Sequence, residues 1–501
     1  MMDTACENIN CEIITKGKTR YLHVNGFLFT KHSTGVNSKV YWRCRKRQQC
    51  GAKATTIGTG NSVSIISVGS DDSHCHAPDR EEVDALRQVS NLKRAAVDQP
   101  ECPPARILRL LQKIPPATLA KMPERPNAVK QIQRERMKEM PSNPLTAQDL
   151  KEIPDLYRNT NDGENFLLYD SYEDDSYSLS CGRIIVFATK ENLKSLFRSI
   201  TWFVDGTFKV VPSIFYQLFV IMGTMKQVSR GIERNVALPL VYALLESKSE
   251  DAYAKIFEIV ISKAQLLGIQ IEYPETVMSD FELGIINAAE AKIGNVVRLC
   301  LFHLCQNVYR RVQSEGLQEM YNSNNDARIR EAMRTMCALA FVPSDDVPEF
   351  FDLFIDQAPQ EFVSVAEYFE ITYIRGKPAR GRRRAIPARY DPALWNQYNA
   401  VIQKTARTNN ASEGWHNRLQ VVVGRYHPSL YTFLKELKQE QGDTECMQTQ
   451  LNLGQKIRKL QTNKFHTIEE RILSIVSQYQ QYVDDNRKID YLKTLGCHLH
   501  F

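Results

Sequence analysis

The chain has 501 residues, 43% of them hydrophobic and 24% charged, with a formal net charge of +6 and a pI near 8.6. That length excludes a single small domain and leaves room for two to four folded units at about 100–200 residues each. So mild a charge excludes attraction of nucleic acid by a global field and puts any such contact on local basic clusters. No apolar run approaches the roughly 18 residues of a membrane span, and the opening MMDTACENINCE has neither the charged nor the apolar region of a signal peptide. A soluble chain that stays inside the cell and spans no membrane is expected.

In residues 13–78 the short runs TRYLHV, GFLFTKH, KVYWRC, AKATTI and SVSIIS, broken by Gly, Asn and Ser, predict a small antiparallel β-module. The 12 cysteines of the chain are spread thinly, which favours reduced thiols over a disulfide framework and puts zinc ligation first among the readings to test. Here Cys44, Cys50, His74 and His76 supply two thiolates and two imidazoles, the donor set of a closed tetrahedral zinc site. A region with so little apolar core struggles to fold without a metal. The spacing Cys-x5-Cys-x23-His-x-His does not fit the ββα finger, because His-x-His places both imidazoles on one face of an extended strand. Cys75 lies between the two histidines and competes as a donor, and free thiols with scattered histidines are the alternative reading. Arg43, Arg45, Lys46 and Arg47 flank the ligands and suit phosphate contact, with a solvated charged loop as the other possibility.

Residues 79–160 change to charged, helical pattern, punctuated by prolines around ARILRLLQKI, PPATLAKM and PNAVKQIQRERMKEM. This stretch is either a helix-turn-helix-like DNA-binding region or a helical spacer. The acidic, polar stretch Asn161 to Ser180 reads as a linker.

From about Arg183 continuous apolar runs appear. TWFVDGTFKV, IFYQLFVIMGT and NVALPLVYALL are three strands at close spacing, and Pro239 inside the third places that strand at a sheet edge. SEDAYAKIFEIVISKAQLLG is an amphipathic helix, stopped by Gly268. ETVMSD is a fourth strand, LGIINAAEAKIG a helix, and VVRLCLF a fifth strand entering HLCQNVYRRVQ. The order β-β-β-α-β-α-β-α predicts an α/β fold with a mixed sheet and helices on its faces. Residues 315–407 lack strand runs and read as helical, interrupted by RGKPARGRRRAIPAR. In that run Arg382, Arg383 and Arg384 either hold DNA or belong to a nuclear import signal. Residues 426–501 are a polar, helix-forming tail.

In this topology the first and fourth strands are neighbours, so Asp205 and Asp280 converge. Two carboxylates held close repel unless a divalent cation lies between them, the arrangement that activates oxygen in phosphodiester chemistry, and Mg²⁺ suits such hard ligands. Glu413 in RTNNASEGWHNRL is a candidate third acid. The spacing Asn410-x-x-Glu413 equally fits a capping box, and spacing alone favours the cap. Cys300 and His303, at a strand-to-helix junction, fit half of a zinc site or a structural or DNA-contacting role.

The stretch from about Ile200 to Gln420 resembles the catalytic domain of Mutator-like element (MULE) transposases. The matching pieces are Asp205-Gly206-Thr207-Phe208, Ser279-Asp280, Cys300-Leu-Phe-His303 and Thr408-Asn409-Asn410-Ala-Ser-Glu413-Gly414-Trp415-His416. The resemblance implies an RNase H-like core over 183–314 and 406–425, with residues 315–405 as an all-helical insertion before Glu413, and a catalytic triad of Asp205, Asp280 and Glu413 holding Mg²⁺ or Mn²⁺. Cys300, His303, Asn410 and His416 would be motif residues near that site. It further implies hydrolytic nicking and strand transfer on double-stranded DNA, at transposon terminal inverted repeats and a target, by a homodimer or higher synaptic assembly in the nucleus. Residues 13–78 resemble the FLYWCH zinc finger, through Phe27, Leu28, Tyr41, Trp42, Cys44, Cys50, His74 and His76. The resemblance implies Zn²⁺ and DNA or protein binding. A domesticated DNA-binding regulator without activity and a nuclease without strand transfer stand as alternatives.

Overall fold

The computed structural model describes residues 11–16, 19–59, 62–68, 73–99, 102–138, 141–175, 177, 181–229, 232–379, 381, 384–457 and 463–499. They divide into two compact units, within Met1–Ser142 and within Asn143–Phe501. No helix among the described residues is long and apolar enough to cross a membrane.

In the first unit six antiparallel strands follow one another around a sheet: β1 (Cys11–Lys16), β2 (Thr19–Val24), β3 (Phe27–Thr34), β4 (Lys39–Cys44), β5 (Lys53–Thr59) and β6 (Ser62–Val68). The sheet curls until β1 meets β6, where Cys11 Sγ donates to Val63 O (3.5 Å). Its core is small, built on Leu22, Val24, Phe27, Phe29 and Trp42, with the thiols of Cys44 and Cys50 buried among them. Asp79 caps the helix Arg80–Asp98 by accepting from Glu82 N (2.9 Å). That helix packs with the helix Arg125–Met137 and the turns between them around Leu92, Ala96, Leu111, Ala128 and Ile132. Arg136 is occupied within this bundle, donating to the carbonyls of Ala96, Gln99 and Cys102.

The second unit is α/β. Its mixed sheet has the order β13-β12-β9-β10-β11-β8-β7, with β7 (Leu167–Asp170), β8 (Ile184–Phe187), β9 (Thr201–Thr207), β10 (Gln217–Ser229), β11 (Ile232–Leu245), β12 (Thr276–Ser279) and β13 (Val297–Leu299). β9, β10 and β11 form the antiparallel meander, and β12 and β13 continue it in parallel beyond β9. Apolar residues alternate across the sheet. Trp202, Val204, Phe219, Ile221 and Val277 face the helix Glu250–Leu266, whose Tyr253, Ile256, Phe257 and Val260 are fully buried. Phe203, Met222 and Met278 face the other way, where Ser412 Oγ meets Met222 Sδ (3.3 Å) from the helix Asn410–Val423.

Three expectations are corrected. The stretch Asn161 to Ser180 is not only a linker, because it contributes β7 to the sheet. Two short runs, LLYD and IIVF, carry no periodicity that separates strand from loop. β11 is not an edge strand, since it lies between β10 and β8. Pro239 is tolerated because β8 pairs only as far as Tyr242, and because the β10–β11 register shifts between Ile221 and Met222, leaving the proline beside a bulge. The polar C-terminal residues are integral: the helix Leu430–Asn452 buries Phe433, Leu434 and Leu437, and its Gln441 side chain exchanges hydrogen bonds with Asn192 (2.8 and 3.1 Å).

The β7–β8 addition is fixed by a buried ion pair. Arg183, with no exposed surface, donates to both carboxylate oxygens of Asp170 (2.9 and 2.6 Å) and to the carbonyls of Ala147 (3.0 Å) and Leu150. Removing one partner strands the other charge in the interior, so Arg183→Leu is expected to cost about 3–5 kcal/mol in urea unfolding. Arg183→Leu with Asp170→Leu is expected to recover much of it. A single-variant loss below about 1 kcal/mol contradicts this account.

Candidate functional site

In the first unit the chain brings four donors together. Cys44 ends β4, Cys50 follows the turn after it, and His74 and His76 come from the segment beyond β6. Cys44 Sγ lies 3.1 Å from His76 Nε2, and Cys50 Sγ lies 3.3 Å from His74 Nδ1. All four ligand atoms are within 4.8 Å of one another, making a Cys2His2 metal-binding site. His74 and His76 do not lie on a strand as His-x-His predicts; His74 sits in irregular chain and His76 in a bend, and their rings are oriented by Phe27, which stacks on His74 at 3.8 Å. Cys75 is outside the set, exposed and donating to Gln49 O. Burial pushes the Cys44 thiol up to about 11. Burial also raises Cys50, but the amides of Ala52 and Cys75 outweigh it and bring that thiol down to about 7. Two thiols this close cannot both ionise unless a cation shares them, and the donor set fits a divalent ion of zinc's preference.

Of the flanking basic residues, Arg45 is paired with Glu82 and lies over the Tyr21 ring at 5.2 Å, so its charge is already matched. Arg43, Lys46 and Arg47 are exposed.

In the second unit the acids meet on one face of the sheet. β12 pairs with β9 in parallel, Met278 opposite Phe203. Continuing that register by two residues sets Asp280 beside Asp205, and both share the face of Phe203 and Met278. Asp205 Oδ1 accepts from Gly206 N (2.8 Å), and Asp280 Oδ1 accepts from Glu282 N (3.2 Å). Burial first, then the Asp205 and Glu282 carboxylates, push Asp280 up to about 7.

Glu413 lies on the helix Asn410–Val423, and that helix is tied to β9 through its N-cap, Asn409. The Asn409 side chain donates to Val204 O (3.3 Å), next to Asp205, and its amide donates to Cys300 Sγ (3.2 Å). Trp415 donates to Glu440 (2.6 Å) on the helix Leu430–Asn452 and fixes the rotation. The capping box does not form: the N-cap is Asn409 and not Asn410, and Glu413 makes no capping hydrogen bond. Glu413 instead faces His303 Nε2 at 3.4 Å, with its Oε1 buried and accepting no hydrogen bond. One turn along, His416 Nδ1 lies 3.3 Å from Asp205 Oδ2. Burial lowers His303, but Cys300 and then Glu413 and Asp205 raise it more, so its net shift is upward. Cys300 is the N-cap residue of the helix Leu301–Ser314 and is fully buried, joining that helix to Asn409. Among the described residues only the N-terminal set has three or more donors within 4.8 Å of one another, so the three acids stand at wider spacing.

Asn410 itself is exposed at the first turn. The buried partner is its neighbour Asn409, and nothing in the Asn-Asn pair distinguishes which one turns inward. Glu282 also escaped the sequence reading. Its Oε1 accepts from Tyr253 OH (2.8 Å), which in turn accepts from Gln217 Nε2 (2.7 Å). A Cβ at Gly206 would come 2.5 Å from Gln217 Oε1, so this glycine leaves room for the side chain that holds the relay. Arg384 is exposed, and Arg382 and Arg383 lie outside the described residues.

Comparison with known proteins matches these two regions separately. Residues 201–307 match the MULE transposase domain, a stretch that contains Asp205, Asp280, Cys300 and His303 but ends before Glu413. Residues 12–76 match the FLYWCH zinc finger domain, which identifies the Cys2His2 set as a zinc-binding site. The FLYWCH-type zinc finger-containing protein 1 of Homo sapiens is 30% identical over 112 residues, 21% of this chain and 15% of that protein. Its Mus musculus counterpart is 35% identical over 77 residues, 15% of this chain and 10% of that protein. The chain thus spans a small part of either relative's length. It carries an N-terminal FLYWCH zinc finger domain and, in its α/β unit, a MULE transposase domain.

Proposed function

We propose that the chain is a DNA transposase of the Mutator-like group, with an RNase H-like core whose Asp205, Asp280 and Glu413 hold Mg²⁺ or Mn²⁺ for DNA strand cleavage and transfer. The observation that carries the reading is the meeting of Asp205 and Asp280 at one register, with the unbonded carboxylate oxygen of Glu413 and two histidines beside them. The strand arrangement, a three-strand meander extended in parallel beyond its first strand, supports the core assignment.

The residues fit the metal. Asp280 is driven up by burial and by Asp205, and such a pair is relieved by a shared cation. When bound, Mg²⁺ or Mn²⁺ supplies positive charge at the attacking and leaving oxygens of the phosphodiester. Asp205 is held by Gly206 N and His416, and Asp280 by Glu282 N, so both carboxylates are oriented before substrate arrives. Glu413, aligned by His303, orients the water or 3′-hydroxyl that attacks. Catalysis is electrostatic positioning for the most part. The substrate is double-stranded DNA at terminal inverted repeats, the working form a homodimer or larger synaptic assembly, and the compartment the nucleus.

The test incubates the purified chain with Mg²⁺ or Mn²⁺ and end-labelled DNA carrying candidate inverted repeats. Metal-dependent nicks from wild type and none from Asp280→Asn are expected. If both proteins are inert while both bind DNA, the enzyme reading fails and a DNA-binding regulator derived from a transposase takes its place.

A further inference from the structure

Asp280, Phe281 and Glu282 are the whole of the link between β12 and the helix Leu283–Lys292. Its middle residue is gripped by side chains from the helical segment 315–405. Phe281 packs edge-on against Tyr390 (4.9 Å) and Tyr373 (5.7 Å), and its carbonyl accepts from Tyr390 OH (2.6 Å). Both tyrosines are buried, and they stack on each other at 5.6 Å although the Arg-rich run separates them in sequence. Tyr373 lies on a single π turn, Glu370–Ile374, that continues the helix Val363–Phe369, and such turns concentrate at functional sites. Tyr390 is brought back to that turn by donating its amide to Thr372 O (3.0 Å). Trp395, fully buried, then donates from Nε1 to Tyr373 O (3.0 Å) and Tyr390 O (3.3 Å), so the pair is locked from behind.

The Tyr390 bond matters because of the peptide it touches. The Phe281 carbonyl and the Glu282 amide are opposite edges of one planar unit, and that amide is the donor to Asp280 Oδ1 (3.2 Å). Hydroxyl, peptide and carboxylate thus form one chain, from Tyr390 OH to Phe281 O and from Glu282 N to Asp280 Oδ1. Donation to the carbonyl polarises the peptide and strengthens its N–H as a donor. It also resists rotation of the plane that carries that donor. The other end of the link is held from the sheet side, where Tyr253 OH donates to Glu282 Oε1 (2.8 Å) and accepts from Gln217 Nε2 (2.7 Å). With Glu282 anchored by its side chain, the orientation of the peptide is the freedom that Tyr390 removes.

We propose that Tyr390 is a positioning residue for Asp280: through the Phe281–Glu282 peptide, the helical segment sets the carboxylate that is to hold the metal. The proposal rests on the metal-site reading above and deepens it, giving this segment a part in the chemistry that needs no contact with DNA. A hydroxyl that serves packing alone is found at Tyr491, fully buried on the helix Lys488–Gly496. It donates to Phe341 O at the same 2.6 Å and reaches none of the three acids.

The test measures Mn²⁺ binding by paramagnetic resonance in the full wild-type chain, Asp280→Asn, Tyr390→Phe and Tyr491→Phe, with the unfolding temperature followed in the same samples. Both tyrosine substitutions keep the ring and remove one buried hydroxyl, so both are expected to lower the unfolding temperature by roughly a few degrees. Only Tyr390→Phe is expected to weaken Mn²⁺ binding, by about 10-fold or more, since losing a partner that orients a metal-binding side chain costs roughly 10–100-fold. Tyr491→Phe is expected to stay within about twofold of wild type. Tyr253→Phe, which releases the other end of the link, is expected to weaken Mn²⁺ binding in the same sense, so the outcome does not hang on the folding of one variant. Unchanged Mn²⁺ affinity in Tyr390→Phe, or equal losses in Tyr390→Phe and Tyr491→Phe, overturns the proposal. A wild-type chain with no Mn²⁺ site sensitive to Asp280→Asn sinks the metal-site reading itself, whereas an Asp280-dependent site that is indifferent to Tyr390→Phe sinks the positioning role alone.

Discussion

Asp280→Asn is expected to lower metal-dependent DNA cleavage by about a thousandfold or more, the scale seen when charge stabilisation at a reacting centre is removed. The same substitution is expected to raise the unfolding temperature of the metal-free protein. Asp280 is pushed up to about 7 by burial and by the neighbouring carboxylates, which measures how much the folded state disfavours the charged form. Asparagine keeps the shape and the hydrogen bond from Glu282 N while removing the repulsion with Asp205. A gain of a few degrees by calorimetry, on the order of 1–2 kcal/mol, is expected at neutral pH. Activity lost and stability gained distinguishes a functional carboxylate from a structural one, since a structural acid loses both. A variant that is inert and less stable argues that Asp280 serves the fold.

The second large effect concerns the finger. Cys44→Ser is expected to remove zinc and with it the ordered β-sheet of the first unit, because the apolar cluster around Phe29 and Trp42 is small and two of its members are the ligand thiols themselves. Structural zinc contributes roughly 10–16 kcal/mol of binding free energy in small finger domains, more than such a core supplies. Elemental analysis is expected to fall from one zinc per chain to none, with loss of strand signal in circular dichroism. The second unit, with its own core, is expected to keep its unfolding transition. Cys75→Ser, at a thiol outside the cluster, is expected to retain full zinc. A Cys44→Ser protein that holds one zinc and its sheet contradicts the ligand assignment.

Much of the core order is written in local pattern. The three apolar strands, the helix Glu250–Leu266 with its seven-residue buried stripe, and the two βα units that follow are strong periodic signals, and all of them form. The features that sequence reading loses depend on partners far along the chain. β7 and β8 are four residues each and become strands by pairing with β11 and with each other, a distant partnership that the Arg183–Asp170 pair secures. Pro239 reads as an edge residue by itself, and its place inside the sheet is explained by the early end of β8 and the bulge between β10 and β11. His74 and His76 are set by Phe27, 47 residues before the first of them, so a strand geometry inferred from His-x-His cannot anticipate the bend. Glu413 is the instructive case. Its local spacing favours a cap, and the docking of Asn409 on Val204 and Cys300, more than 100 residues away, turns it towards His303.

The most direct measurement of the central proposal is Mn²⁺ binding by paramagnetic resonance to the wild-type chain and to Asp205→Asn, Asp280→Asn and Glu413→Gln, with cleavage of labelled DNA followed in the same samples. The three acids acting as one site predict that each substitution weakens Mn²⁺ binding and abolishes cleavage while DNA binding persists. A Glu413→Gln protein that binds Mn²⁺ and cuts DNA as wild type does contradicts the triad.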